Sequence, residues 1–482
     1  MAKKISLLFV TPEAMPFAAT GGLGIVSGSL PKAIMQLSKV FEVGVILPLH
    51  GMVSESARQE MEFLGQKEIQ LAWRSQYCGV FKMTRDNVHY YFIDNEYYFK
   101  RDGLYGFYDD GERFAFFCKA VIETFDITGF YPTILHANDW QTALIPIYLK
   151  RKYYDDRRLI QTVFTIHNIE YQGKFGMEAL YDVFDLGEEA RATVEFDGCI
   201  NLMKGAIECC DKLTTVSPGY AQELKYAYFA NGLENIIRNN AYKMIGILNG
   251  IDLEVYNPLR DEAIPVQYSR QSIRRKAENK QILQKSLDLP QRDEIPLIAI
   301  ISRLVAHKGM ELIERVGEEL LQNDIQLVVL GKGDKRFENY FHWLAFQYPH
   351  KASALTTYDD ALARRIYAAA DMLLMPSKSE PCGLSQMIGL RYGTVPIVMK
   401  VGGLGDTIRD VDYHEDGNGF VFDHFNAHDM LFAVQRAIEH YNHREQWNGF
   451  IQRIMGTEYG WKQSARKYIA MYKKMKDDRV IA

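Results

Sequence analysis

The chain has 482 residues, too many for one hydrophobic core, so two or three domains are expected. Its 47% hydrophobic and 24% charged residues are those of an ordinary globular protein, and its net charge of −5 argues against a nucleic-acid partner, which calls for a basic balance. Cys78, Cys118, Cys199, Cys209, Cys210 and Cys382 show no C-x-x-C spacing, which excludes a zinc framework by pattern and fits reduced thiols.

The start, "MAKKISLLFV", places lysines before an apolar run, as a signal peptide does. The run stops at "TPEAMP", too short for a signal core or a membrane span, and reads as a first strand over 5–10. A soluble, cytoplasmic protein with no membrane partner is expected. Next comes "FAATGGLGIVSGSLPKAI", which has no charge from Phe17 through Pro31. Its Gly21, Gly22 and Gly24 suit a close backbone approach to a ligand ahead of a helix N-terminus, although an ordinary glycine-rich turn fits as well. The spacing is not G-x-G-x-x-G, so a nicotinamide cofactor is not implied and none is expected.

Apolar, β-branched runs at 43–48, 88–94, 133–137, 162–167 and 212–217 read as further buried parallel strands. A polar stretch follows "GILNGIDLEVYNP" and continues to about Asp293. A second series then starts at 296–302 and repeats at 325–331, 371–377 and 395–400, with helical patterns at 308–322, 359–369 and 428–440. Strand–helix alternation in two blocks predicts an α/β protein of two doubly wound, Rossmann-like domains. The boundary falls near 250–260 and is drawn as 1–255 and 256–482, with the last pattern, 461–475, a candidate to pack back onto the first domain. Ligands of such sheets bind at the carboxyl ends of strands, so a cleft between facing domains is expected.

The polar residues at those strand ends are the candidates for chemistry. "LHANDWQTALIP" presents His136, Asn138, Asp139 and Trp140, and "FTIHNIEYQGKF" presents His167 and Asn168. Asp139 as a helix N-cap and His167 as a satisfied core histidine are the structural alternatives. In "IISRLVAHKGMELI", Arg303 and Lys308 could clamp a diphosphate, one by its planar fork and one as a point charge. "MPSKSEPCGLSQ" sets Glu380 before Cys382, Gly383 and Leu384 at a helix start, whose amides suit phosphate or sugar hydroxyls. Cys382 has no base partner and reads as a small buried residue. The tetrapeptide GGLG returns at Gly402–Gly405, including Gly402 and Gly403, and is followed by Asp406.

At these residues the chain resembles the bacterial glycogen (starch) synthases, retaining glycosyltransferases that extend an α-1,4-glucan from ADP-glucose. "TIHNIEYQG", "TTVSPGYAQEL", "GILNGID", "SRLVAHKG", "EPCGLSQ", "RYGTVP" and "GGLGDT" match in order and spacing across essentially the whole chain. The resemblance implies a GT-B fold, with two Rossmann-like domains facing across a deep cleft, and no required metal. It also implies ADP-glucose and glycogen or another α-1,4-glucan as partners. Arg303 and Lys308 would hold the donor diphosphate. Glu380 and the Cys382, Gly383 and Leu384 amides would bind donor sugar and phosphate. His167 would lie against the glucosyl group with Asp139 nearby, and Asn249 of "NGID" would help line the site. No nucleophile–base dyad is visible, which fits a front-face displacement assisted by the leaving phosphate. Paired carboxylates of the kind a retaining glycosidase needs cannot be located.

Two charges of the family's first loop, K-T-G-G-L-G/A-D-V, are absent: Ala19 stands at the lysine and Ile25 at the aspartate. Asn138 stands where H-x-H-D-W has its second histidine, and Lys378–Ser379 where Arg-Phe is common. These departures leave open a weakened or inactive glucan- or nucleotide-binding paralogue, or a related GT-B enzyme with another donor or acceptor.

Overall fold

The computed structural model describes residues 4–153, 155, 159–357 and 359–481. The chain divides into two compact units, Met1–Asn249 with Trp461–Ala482, and Gly250–Gly460. The first unit therefore ends at Asn249, ahead of the 255 drawn from the sequence.

The first unit is built on strands β1 (Ile5–Val10), β2 (Phe41–Pro48), β3 (Glu62–Leu71), β4 (Arg74–Arg85), β5 (Val88–Asp94), β6 (Ile134–Asn138), β7 (Gln161–Ile166), β8 (Lys174–Phe175), β9 (Glu195–Phe196), β10 (Cys199–Asn201), β11 (Lys212–Thr215) and β12 (Met244–Gly246). Nine of them form one sheet in the order β12-β11-β7-β6-β1-β2-β5-β4-β3, and β8, β10 and β9 form a small antiparallel one. Pairing is parallel from β12 to β5 and antiparallel at β4 and β3. The apolar parallel strands are buried on both faces, as their sequences require. β3 and β4 are largely exposed or half-buried, with buried residues only at Ile69, Leu71, Cys78–Val80 and Met83, so they carry no long apolar run.

The second unit contains β13 (Leu297–Ile301), β14 (Gln326–Leu330), β15 (Ala352–Leu355), β16 (Met372–Met375), β17 (Val395–Met399) and β18 (Phe420–Phe422), a parallel sheet in the order β15-β14-β13-β16-β17-β18. Its two ends meet: the Ile251 amide donates to the Tyr459 carbonyl at 2.9 Å. Helices bearing on the sites are α1 (Gly22–Leu37), α2 (Met310–Gln322), α3 (Ser385–Arg391), α4 (Gly402–Thr407) and α5 (Trp461–Ile481).

The core beneath β1, β2 and β5 is completed by α5, whose Trp461, Ala465, Tyr468, Tyr472 and Met475 are buried beside Leu30 and Ile34 of α1. One expectation needs correction. The two GGLG segments are not loops ahead of helices: Gly22 opens α1, with Gly21 as its N-cap, and the second copy is itself most of α4. The Leu404 and Gly405 amides bond the Val401 carbonyl, while the Gly403 amide bonds the Glu380 carbonyl and the Gly24 amide the Glu13 carboxyl, so both segments are closely packed. Added Cβ atoms show how tight this is, since one on Gly24 would stand 2.4 Å from the Ala19 Cβ and one on Gly403 2.0 Å from the Cys382 carbonyl oxygen.

Candidate active site

In the first unit the polar residues follow β1, β6 and β7, three neighbouring strands whose order reverses around β1, which is where doubly wound sheets open a crevice. Asp139 sits in left-handed backbone, φ 55°, an uncommon and strained conformation for a residue other than glycine. It occupies the N-cap of the turn Trp140–Thr142 without capping it. Its carboxylate turns to β7 instead and accepts the His167 amide at 2.7 Å and the Asn168 amide at 3.4 Å. Burial pushes this carboxyl up to about 7 despite those donors, and the Glu13 charge adds to the rise.

His167 Nε2 lies 2.9 Å from Asn138 Oδ1, and burial lowers its imidazole to about 3, so the ring is neutral. Gly173, also left-handed, lets the chain beyond β7 pass the Trp140 ring, where a Cβ would come within 2.7 Å. His136 is buried one residue pair earlier on β6. Its Nδ1 is 2.6 Å from the Tyr472 hydroxyl and its Nε2 2.5 Å from Thr165 Oγ1, so it is a structural histidine. Asn249 is buried with its Oδ1 unpaired among the described residues.

Sequence reasoning missed Glu13. It is 3% exposed, and its Oε2 accepts the Thr20 amide at 2.6 Å and the Thr20 hydroxyl at 2.9 Å, while Oε1 accepts the Gly24 amide at 3.2 Å. The segment that has no charge of its own is therefore held by a buried carboxyl group, pushed upward by burial. Tyr105 was also missed; its hydroxyl is buried without a hydrogen-bond partner among the described residues. Nothing in the local sequence of Glu13 marks it, because it acts across a loop.

In the second unit the candidates follow β13, β16 and β17, again neighbours. Lys308 Nζ donates to Glu380 Oε2 at 2.6 Å, and Ser377 Oγ donates to the same oxygen at 3.0 Å. Glu380 is 7% exposed. Gly309, φ 75°, permits the approach, since a Cβ there would stand 2.0 Å from the Pro376 carbonyl oxygen. The Lys378 amide donates to the His307 carbonyl at 2.9 Å and the Gly403 amide to the Glu380 carbonyl at 3.0 Å, which ties all three strand-end segments together. Gln386 of α3 braces them by donating to the Cys382 and Gly383 carbonyls, both at 3.0 Å. Arg303 is exposed, 3.5 Å from His307 Nε2, and Asp406 is exposed on α4. Cys382 is buried. This cluster gathers Arg303, Lys308, Glu380, Cys382–Leu384 and Gly402–Asp406 beyond the carboxyl ends of three adjacent strands, a cationic and amide-rich set suited to phosphate oxygens.

Comparison with known proteins decides the family. Residues 6–239 match the starch synthase catalytic domain and residues 282–452 the glycosyl transferases group 1 domain. Glycogen synthase of Bacillus cereus (strain B4264) is 43% identical over 476 residues, 98% of this chain and 100% of that protein. Glycogen synthase of Clostridium novyi (strain NT) is 45% identical over 474 residues, 97% of this chain and 98% of that one. The chain belongs to the glycogen and starch synthase family. The catalytic domain of starch synthase IV from Arabidopsis thaliana, bound to ADP and acarbose, superposes with a TM-score of 0.89 at 31% identity over 98% of this chain and 99% of that one. Sucrose-phosphate synthase from Thermosynechococcus elongatus shares the fold, with a TM-score of 0.62 at 16% identity over 98% of this chain and 100% of that one. The two parallel-sheet units are thus the GT-B fold of this family. Among the described residues no helix is long and apolar enough to cross a membrane, and no group of three or more His, Cys, Asp or Glu could hold a metal ion.

Proposed function

We propose that this chain is a glycogen synthase that transfers glucose from ADP-glucose to the non-reducing end of an α-1,4-glucan with retention of configuration. The observation that carries the reading is the strand-end cluster of the second unit, intact in a chain related to glycogen synthases over its whole length. Arg303 and Lys308 bind the donor diphosphate and neutralise the charge that develops as the nucleoside diphosphate leaves. Glu380 and Ser377 fix the Lys308 ammonium, and the Cys382–Leu384 backbone meets donor oxygens. His167, neutral and oriented, bonds the transferred sugar, and Asp139 holds the His167 backbone in place. A phosphate oxygen of the departing diphosphate takes the acceptor hydroxyl proton on the same face of the sugar.

The absence of the family's loop lysine at Ala19 favours a second reading, a glucan-binding protein without turnover. One assay separates the two: the purified chain with radiolabelled ADP-glucose or UDP-glucose and a glycogen primer. Incorporation from ADP-glucose that drops about 100-fold or more in Lys308→Ala is the expected outcome, the loss of a charge-assisted contact being worth roughly 1.5–3 kcal/mol before any transition-state share. Glycogen binding with no incorporation from either donor would establish the second reading.

A further inference from the structure

Asn138 is one of the residues at which this chain departs from the family pattern beside the candidate site, and its surroundings give it a defined role. It is 2% exposed at the end of β6. Its Nδ2 lies 3.1 Å from the Val10 carbonyl and 3.1 Å from the His136 carbonyl. Carbonyl oxygens accept only, so both hydrogens of the amide face them and the amide orientation follows from the network. The remaining group, Oδ1, accepts only, and it stands 2.9 Å from His167 Nε2. That nitrogen must therefore carry the ring proton. His167 Nδ1 makes no hydrogen bond to protein among the described residues, which leaves it to accept from a ligand hydroxyl. A histidine at 138 could donate or accept, and could itself titrate. An asparagine has one role in this cage.

We propose that Asn138 is a positioning residue that fixes His167 as the neutral Nε2–H tautomer and presents Nδ1 as an acceptor to the substrate. The functional half rests on the reading that His167 touches the transferred sugar; the tautomer does not. Two titratable groups face this pair, and a third acts on one of them. The Asp139 carboxyl accepts the His167 backbone amide, His136 precedes Asn138 on the same strand with both ring nitrogens engaged and interacts electrostatically with His167, and Glu13 acts on Asp139.

The test uses the full-length chain labelled with 15N-histidine, the His167 resonances being assigned by their loss in His167→Gln. The wild-type ring is expected to show a protonated Nε2 and an unprotonated Nδ1 across pH 6–8. Asn138→Leu should relax the ring into a tautomer mixture and lower kcat/KM for ADP-glucose roughly three- to tenfold, the range for one lost hydrogen bond. Asn138→Asp keeps the acceptor, and its second oxygen, buried beside the Val10 and His136 carbonyls, is held protonated and donates to one of them, so it should keep the Nε2–H signal and a kcat/KM profile close to the wild type's. A wild-type spectrum with Nδ1 protonated or mixed would overturn the proposal, as would unchanged resonances in Asn138→Leu. If Asn138→Leu does not fold, the wild-type spectrum and the Asn138→Asp profile decide. A wild type that transfers no glucose removes the proposed function, and the resonances still decide the tautomer.

Discussion

Asp139 combines a strained backbone, two amide donors and a carboxyl pushed up to about 7, with burial as the largest cause. An acid whose folded pKa lies above its unfolded value takes up a proton on folding, so stability falls as pH rises from the ordinary carboxylate range toward 7 and stays lower above it. Asp139→Asn keeps the acceptor for the His167 amide and removes the ionisation. Its melting temperature relative to wild type should therefore rise by about 4–12 °C more at pH 8 than at pH 5, the shift that roughly 2–3 kcal/mol produces in a unit of this size. Thermal melts at the two pH values check this, and an equal difference at both would mean that Asp139 is ionised without penalty. His167 and Asp139 were legible because each directly follows an apolar strand, and Lys308 and Glu380 because each lies in the polar loop a few residues beyond one. Glu13 was not. It looks like part of the "TPEAMP" turn, and its partners stand seven and eleven residues further on, a separation no local pattern encodes.

At the scale of elements, the parallel strands could be read from apolar runs, and the long helices from their periodicity. The largely exposed or half-buried β3 and β4 could not, nor could two- and three-residue strands such as β8 and β10. α5 joins element to site through a hydrogen-bonded series: the Tyr472 hydroxyl meets His136, which meets Thr165 of β7, whose hydroxyl meets Thr214 of β11 at 2.5 Å. All four side chains are buried. Burial holds His136 down to about 3, so the chain is one of neutral donors and acceptors. Tyr472→Phe leaves His136 Nδ1 unpartnered inside the core and should cost about 1–3 kcal/mol of stability. Urea denaturation measures it, and a loss below about 0.5 kcal/mol would mean that α5 is held by its apolar face alone.

For the whole molecule, the order of the chain matters more than its length. The first unit is discontinuous: it needs residues from both ends of the sequence, because Trp461, Tyr468 and Tyr472 fill the core under β1 and β2. The second is continuous, with its own six-stranded sheet and with its ends joined at Ile251 and Tyr459. A unit whose termini meet and whose core is self-contained meets the requirements for independent folding. Residues 250–460 expressed alone should therefore give a cooperative thermal transition by circular dichroism and retain the Lys308–Glu380 pair, with no transferase activity. Residues 1–249 alone lack several large core side chains, each worth about 2–5 kcal/mol, which exceeds the stability of a typical domain. They should remain unfolded or aggregate, and adding 461–482 as a separate peptide should recover some structure. A cooperative transition in 1–249 alone, or none in 250–460, would show that the two cores do not assign stability as the chain order indicates.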